Sequence, residues 1–138
     1  MDCKAHTIVT HVATLHHSSA LLVKYGGMVD QQTGWFLPND DLQHVEHPEV
    51  GARRVLKDQV GIENATLKLV DVESFIGNNK TWHIIFDYLA FPRTMTVVKG
   101  EGVAEAKWFE IDKLPAVDEF AHQGWGRAVL LKHAKVLA

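Results

Sequence analysis

One cysteine, at position 3, is all the chain has, so no internal disulfide is available to it. Its stability has to come from a hydrophobic core, and the pattern suits a reducing compartment. No apolar run approaches the roughly 20 residues that carry a helix across a bilayer. The opening "MDCKAHTIVTHVATLHH" interrupts every would-be apolar stretch with histidines and polar residues, which does not fit a secretory leader. These absences point to a cytoplasmic protein without a membrane partner. A basic stripe is also missing. Fourteen lysines and arginines face 17 acids, for a net charge of −3, and the densest basic cluster is "ARR" at 52–54. The electrostatic footprint of a nucleic-acid binder is therefore lacking. There are no repeats, low-complexity tracts or linkers.

What is present is ordinary globular material: 138 residues, 46% hydrophobic and 22% charged. That length matches one domain, 1–138, with enough chain to bury a core. "AHTIVTHVATLHH" is rich in Val, Ile and Thr and reads as a strand, and "SALLVKY" reads as a second, more buried one. "GGMVDQQTG" is turn chemistry and "WFLP" is extended. "NDDLQHVEH" reads as a polar loop. Pro48 and Glu49 then suit the first turn of a helix, because proline gives up no needed N–H there and an acid favours the positive end. Gly61 ends that helix, and Val50, Leu56 and Val60 give it an apolar side. "ATLKLVDVESFIG", the turn "NNK" and "TWHIIFDYLAF" predict a β-hairpin, with "TMTVV" extending or bordering it. "AEAKWFEIDKLP" predicts a strand running into a turn. "DEFAHQGWGRAVLLKHAKVL" predicts a C-terminal amphipathic helix whose two glycines weaken its first half. The order predicts an α/β (α+β) fold, a mixed sheet with helices packed on its faces.

The segment 37–63, "LPNDDLQHVEHPEVGARRVLKDQVGIE", carries the chemistry. Glu46, Arg54, Leu56, Gly61 and Ile62 are spaced as in the pattern G-x5-E-x7-R-E-U-x-E-E-x-G-U, where U is aliphatic. With "GWFLP" before this box and "AKWFEIDKLP" after it, the chain resembles the Nudix hydrolase superfamily over most of its length. The resemblance implies a Nudix-like α/β/α sandwich and a small-molecule, nucleotide-like ligand, typically a nucleoside diphosphate linked to another moiety. It implies Mg2+ or Mn2+ if the chain hydrolyses such a bond, and no cofactor otherwise. It also implies that Glu46 and Arg54 brace the loop against the helix.

The departures fall on the metal ligands. Asp40 stands for the first glycine, Val55 for the glutamate after the arginine, and Asp58 and Gln59 for the glutamate pair. Positions 55, 58 and 59 share one helix face at i, i+3, i+4 spacing. Magnesium wants hard oxygen ligands in an octahedron. Valine offers none, glutamine a neutral amide oxygen, and Asp58 one carboxylate on a side chain a methylene short. The chain therefore reads as a Nudix-superfamily protein acting on or binding a nucleoside-diphosphate-linked ligand, with pyrophosphohydrolase activity weak, altered or absent. The alternative is a non-catalytic ligand-binding or protein-interaction module on the same fold. If hydrolysis occurs, Glu46, Arg54 and Asp58 are the catalytic candidates, the first two bracing, and Asp58, Glu46, Glu101 and Glu105 are the metal candidates. The glutamate role assigned to Glu101 and Glu105 comes from the resemblance, against a plain charged loop. Trp35 is the aromatic placed nearest a substrate pocket. Asp58 is also placed to pair with Arg54 at i, i+4. Asp40, Asp41, Glu46 and Glu49 with His44 and His47 allow either a relocated metal site or a solvated loop. The strand histidines His6, His11, His16 and His17 read as half-exposed.

Overall fold

The computed structural model describes residues 5–27, 32–77 and 80–133. Cys3, parts of the predicted turns at 26–34 and 77–80, and the last residues of the predicted C-terminal helix lie outside these residues. The strands are β1 (His6–His16), β2 (Ser19–Tyr25), β3 (Asn39–Asp41), β4 (Ala65–Ile76), β5 (Trp82–Pro92) and β6 (Val103–Glu110). The helices are α1 (Pro48–Val60) and α2 (Trp125–His133). The strand order is β4-β5-β1-β2-β6, with β3 also paired to β1.

β1 organises the sheet by changing partners along its length. One side runs parallel to β5 from His6 opposite Trp82 to Thr14 opposite Ala90. The other side meets β3 antiparallel at 9–11, then β2 through the hairpin register at Leu15 and His16. Between those contacts the extended "WFLP" is wedged in: Val12 N–H donates to Pro38 O (2.9 Å), and Phe36 and Val23 exchange backbone hydrogen bonds of 2.9 and 2.8 Å. The wedge satisfies backbone groups that the parting of β1 from β2 would otherwise leave open. Part of the expected polar loop is therefore strand. Asn39–Asp41 has no apolar pattern, and only the neighbouring β1 makes it β3.

Helix α1 starts and stops where its residues dictate. His47 caps it, with Nδ1 accepting from Glu49 N–H at 3.1 Å, and Pro48 follows at the first helical position. Gly61 adopts φ 69°, the left-handed conformation of a C-terminal cap, which glycine reaches without Cβ strain. The buried side consists of Ala52, Val55, Leu56 and Val60, packed on Val12, Leu21, Val23, Phe36, Tyr88 and Ala90. Val50 is 57% exposed and belongs to the solvent side, a correction to the apolar spacing. On the opposite face of the sheet, α2 lays Val129 and Leu130 against Ala13, Leu15, Leu22, Leu89, Trp35 and Phe120.

The C-terminal segment departs from one continuous helix. Short 3-10 turns at Val117–Glu119 and His122–Gly124 precede α2, with His122 and Gln123 at φ 52° and 58° and Gly124 at 85°. Left-handed residues cannot propagate a right-handed helix, so α2 begins after them. "TMTVV" forms no strand and crosses the end of α1 instead.

Candidate functional site

The loop between β3 and α1 is built around one guanidinium. Arg54 donates through Nε to Glu46 Oε2 (2.9 Å) and through Nη2 to Glu46 Oε1 (3.0 Å), a bidentate pair. It also donates to Asp40 Oδ2 (2.9 Å) and to Asp41 O (3.0 Å). Glu46 Oε1 in turn accepts from Gln43 N–H at 3.1 Å. Side-chain exposure falls to 19% at Arg54 and 9% at Glu46, so the pair is largely shielded from water. The Arg54 hydrogen bonds hold the Glu46 carboxyl below the usual range, and Glu46, then Asp40, raise the guanidinium. The expected brace is present and wider than expected, because Asp40, where the pattern has glycine, joins it.

The i, i+4 pairing of Arg54 with Asp58 is not formed. Arg54 spends its donors on the loop, and Asp58 is exposed. Val55 is 1% exposed, inside the core of α1 and the sheet. Gln59 is engaged at both ends of its amide: Nε2 donates to Asn39 O (2.8 Å) and Oε1 accepts from the Tyr25 hydroxyl (2.8 Å). The same hydroxyl accepts from Asn39 N–H at 3.1 Å. Burial pushes the Tyr25 phenol up to about 12, so it stays a neutral donor. A glutamate at 59 could accept from Tyr25 but would face the Asn39 carbonyl oxygen with another acceptor.

Residues 98–100 strap the C-terminal end of α1. Val98 N–H donates to Val60 O (3.0 Å) and Gly100 N–H to Gln59 O (2.9 Å). Gly100 lies so close that a Cβ there would overlap the Asp58 carbonyl oxygen. Trp108 Nε1 donates to Met95 O (2.9 Å) and pins the same segment. Glu101 follows the strap and Glu105 lies on β6; both are exposed. Among the described residues no group of three or more His, Cys, Asp or Glu is arranged to hold a metal ion. His47 serves as the helix cap, Glu49 pairs loosely with Arg53 (3.8 Å), and Asp40 and Glu46 serve Arg54, so these four side chains of the acidic and histidine-rich loop have structural partners. The donor set does not fit a magnesium site: one helix-face position is core hydrocarbon, one is a committed amide, and one is a lone carboxylate.

Trp35 does line a cleft. It has a volume of about 530 Å3 and is walled by Lys24, Tyr25, Thr33, Trp35, Phe36 and the acids Asp118 and Glu119. The Trp35 ring is 7% exposed, with Lys24 Nζ 4.6 Å from its centroid and Phe109 against it edge-on at 5.1 Å. Lys24, Tyr25, Asp118 and Glu119 were not singled out from the sequence. Tyr25 links this cleft to α1 through Gln59. The sequence offered one signal for it, a tyrosine closing a mostly aliphatic strand.

A second polar group lies under α2. His11 is 8% and Asp87 2% exposed, with His11 Nδ1 3.9 Å from Asp87 Oδ1, so the reading of His11 as half-exposed is corrected. Burial, with His122 nearby, lowers the His11 imidazole to about 3, so it is neutral. Burial, then a hydrogen bond with Glu73, pushes the Asp87 carboxyl up to about 9. His11 and Asp87 pair in the parallel register of β1 and β5, across 76 residues of sequence.

With the geometry in place, comparison with known proteins settles the family. The NUDIX domain family model matches residues 5–130, and the chain belongs to that family. No curated protein matches it. Solved structures do. The NUDIX domain of Shewanella oneidensis NrtR, complexed with ADP ribose, is 15% identical with a TM-score of 0.72, covering 97% of this chain and 89% of that one. A MutT NUDIX hydrolase from Burkholderia pseudomallei is 23% identical with a TM-score of 0.67, covering 82% and 89%. A MutT/nudix family protein from Enterococcus faecalis is 18% identical with a TM-score of 0.71; the match covers 80% of this chain but only 46% of that longer one. At these identities the likeness establishes the shared fold. No helix among the described residues is long and apolar enough to cross a membrane.

Proposed function

We propose that this NUDIX domain binds a nucleoside-diphosphate-linked small molecule and hydrolyses it weakly, in an altered way or not at all. One observation carries this reading: the helix face that should hold the cation is filled by Val55 in the core and by a Gln59 amide already bonded to Tyr25 and Asn39. Asp58 alone cannot offset the hydration that Mg2+ gives up. The scaffold of the motif is intact around Arg54, so the ligand-facing architecture has been kept where the metal chemistry has not. The cleft at Trp35 supplies a cation, Lys24, for a diphosphate, and two carboxylates, Asp118 and Glu119, as acceptors for hydroxyl or base N–H groups. The complex of the NrtR domain with ADP ribose makes that compound the first ligand to try.

Calorimetric titration of ADP ribose and related nucleoside diphosphates, with Mg2+ and then with a chelator, tests the reading. Binding should survive the chelator, and turnover with Mg2+, Mn2+ or Zn2+ should be slow or undetectable. Brisk Mg2+-dependent hydrolysis that Asp58→Asn abolishes would overturn it. Absence of any nucleotide binding would favour the protein-interaction module instead.

A further inference from the structure

β4 ends the strand order, and its outer backbone edge is unpaired among the described residues. It is 12 residues long and contains neither proline nor glycine. Leu69 and Val72 are 46% and 47% exposed on it. An edge of this length with exposed apolar side chains is a template for another strand. Its charges are unevenly matched. Lys68 makes no ion pair among the described residues, while Glu73 Oε2 is buried without a hydrogen-bond partner. Glu73 already shares its other contact with Asp87, and Lys132, over this acidic row, goes to Asp71 at 3.4 Å.

The bulge in β4 leaves one way for two copies to meet along the whole strand with like faces opposed. The register against β5 shifts between Leu69 and Asp71. Leu67 and Leu69 therefore face α1 before the shift and Val72 and Ser74 after it, since they pair with Ala90, Tyr88, Phe86 and Ile84. Thr66, Lys68, Asp71 and Glu73 face α2, as does Val70, which packs on that core. An antiparallel self-pairing must oppose residues of like face. With the twofold axis between 70 and 71, every pair from 66 opposite 75 to 69 opposite 72 meets this condition. Shifting the axis by one residue or less brings opposed faces together at the bulge. In this full-length register Lys68 stands opposite Glu73 on one face and Leu69 opposite Val72 on the other, each twice by symmetry. The buried carboxylate oxygen gains a cation, and the four half-exposed aliphatic side chains cover each other.

We propose that the β4 edge is an isologous interface for a second copy of this chain, in the register that places Lys68 of one protomer beside Glu73 of the other. The edge is at the opposite end of the strand order from β6, so the Trp35 cleft stays open in the dimer.

Sedimentation across a concentration series tests this on the full chain. The wild type should be a dimer. Lys68→Glu should be monomeric, and so should Glu73→Lys, because each opposes like charges twice. Mixed together, the two variants should form a one-to-one heterodimer, since each unlike contact is restored. Leu69→Lys, at a half-exposed position that cannot disturb the core, should also be monomeric if Glu73→Lys fails to fold. A wild type that stays monomeric at its highest soluble concentration overturns the proposal. So does a dimer that Lys68→Glu and Leu69→Lys leave intact.

Discussion

At the scale of single residues, Arg54 and Asp87 show how differently a charge can be housed. Arg54 satisfies two carboxylates and a carbonyl, and these hydrogen bonds offset the cost of shielding the charge from water. Arg54→Ala strands Glu46, 9% exposed, and should cost about 2–3 kcal/mol, between exposed and buried pairs. A thermal melt checks this, and a melting temperature equal to wild type would remove the bracing role. Asp87 is the reverse case. Its carboxyl titrates at about 9 in the folded chain, because burial and Glu73 favour the protonated form. In the unfolded chain it titrates near about 4. Between those values the folded protein keeps a proton that the unfolded chain releases, so this group lowers stability steadily as pH rises from about 4 towards 9. Asp87→Asn keeps the shape and removes the titration. The variant should melt higher than wild type at neutral and alkaline pH and show a flatter pH profile. An unchanged profile from denaturant titrations at several pH values would show that Asp87 ionises normally.

At the scale of elements, α1 determines whether the lost metal site can be rebuilt. Restoring glutamates by Val55→Glu, Asp58→Glu and Gln59→Glu would match the family pattern on paper. In this fold Val55→Glu buries a carboxylate among Val12, Phe36 and Tyr88, at a cost of about 3 kcal/mol or more. The triple variant should therefore be much less stable than Asp58→Glu alone, as circular dichroism melts would show. For the unaltered helix, calorimetry should find no saturable Mg2+ binding that Asp58→Asn removes. The strap over the end of α1 gives another test. Gly100→Ala cannot keep its hydrogen bond to Gln59 O while its Cβ overlaps the Asp58 carbonyl, so residues 98–100 must lift. Hydrogen exchange should accelerate at Val98 and Gly100. Unchanged exchange there would mean that the strap tolerates a side chain.

At the scale of the whole molecule, the two helices leave the sheet with unlike faces. The α1 face holds the box and reaches the Trp35 cleft through Tyr25 and Gln59. The α2 face holds the row of buried His11 and Asp87 and the partly exposed Asp71. A ligand that binds only the folded state raises its melting temperature by an amount that grows with the logarithm of its excess over Kd. ADP ribose should therefore raise it equally with Mg2+ and with a chelator, whereas a cation-dependent site would respond only with metal. A shift that appears with Mg2+ alone would return the reading to a metal-assisted enzyme.

The sequence by itself determined what depends on near neighbours. Pro48 and Gly61 bounded α1, because a fixed φ and a left-handed cap act within one turn. The Glu46–Arg54 brace was legible only as what the resemblance to the family motif implies, since both residues fall on its positions. The β4–β5 hairpin was visible from alternation around a short turn. The departures at 55, 58 and 59 were legible too, since losing oxygen ligands is a matter of residue type. Only the tertiary structure decided the rest. β3 is strand because β1 lies beside it, not because "NDD" favours one. Asp40 serves Arg54, and Gln59 is committed because Tyr25 and Asn39 arrive from distant parts of the chain. His11 is buried because β1 and β5 align it with Asp87 under α2, a parallel pairing that no local pattern encodes. Local propensity acts over a few residues, whereas desolvation and hydrogen-bond partners are set by segments that meet only once the sheet has formed.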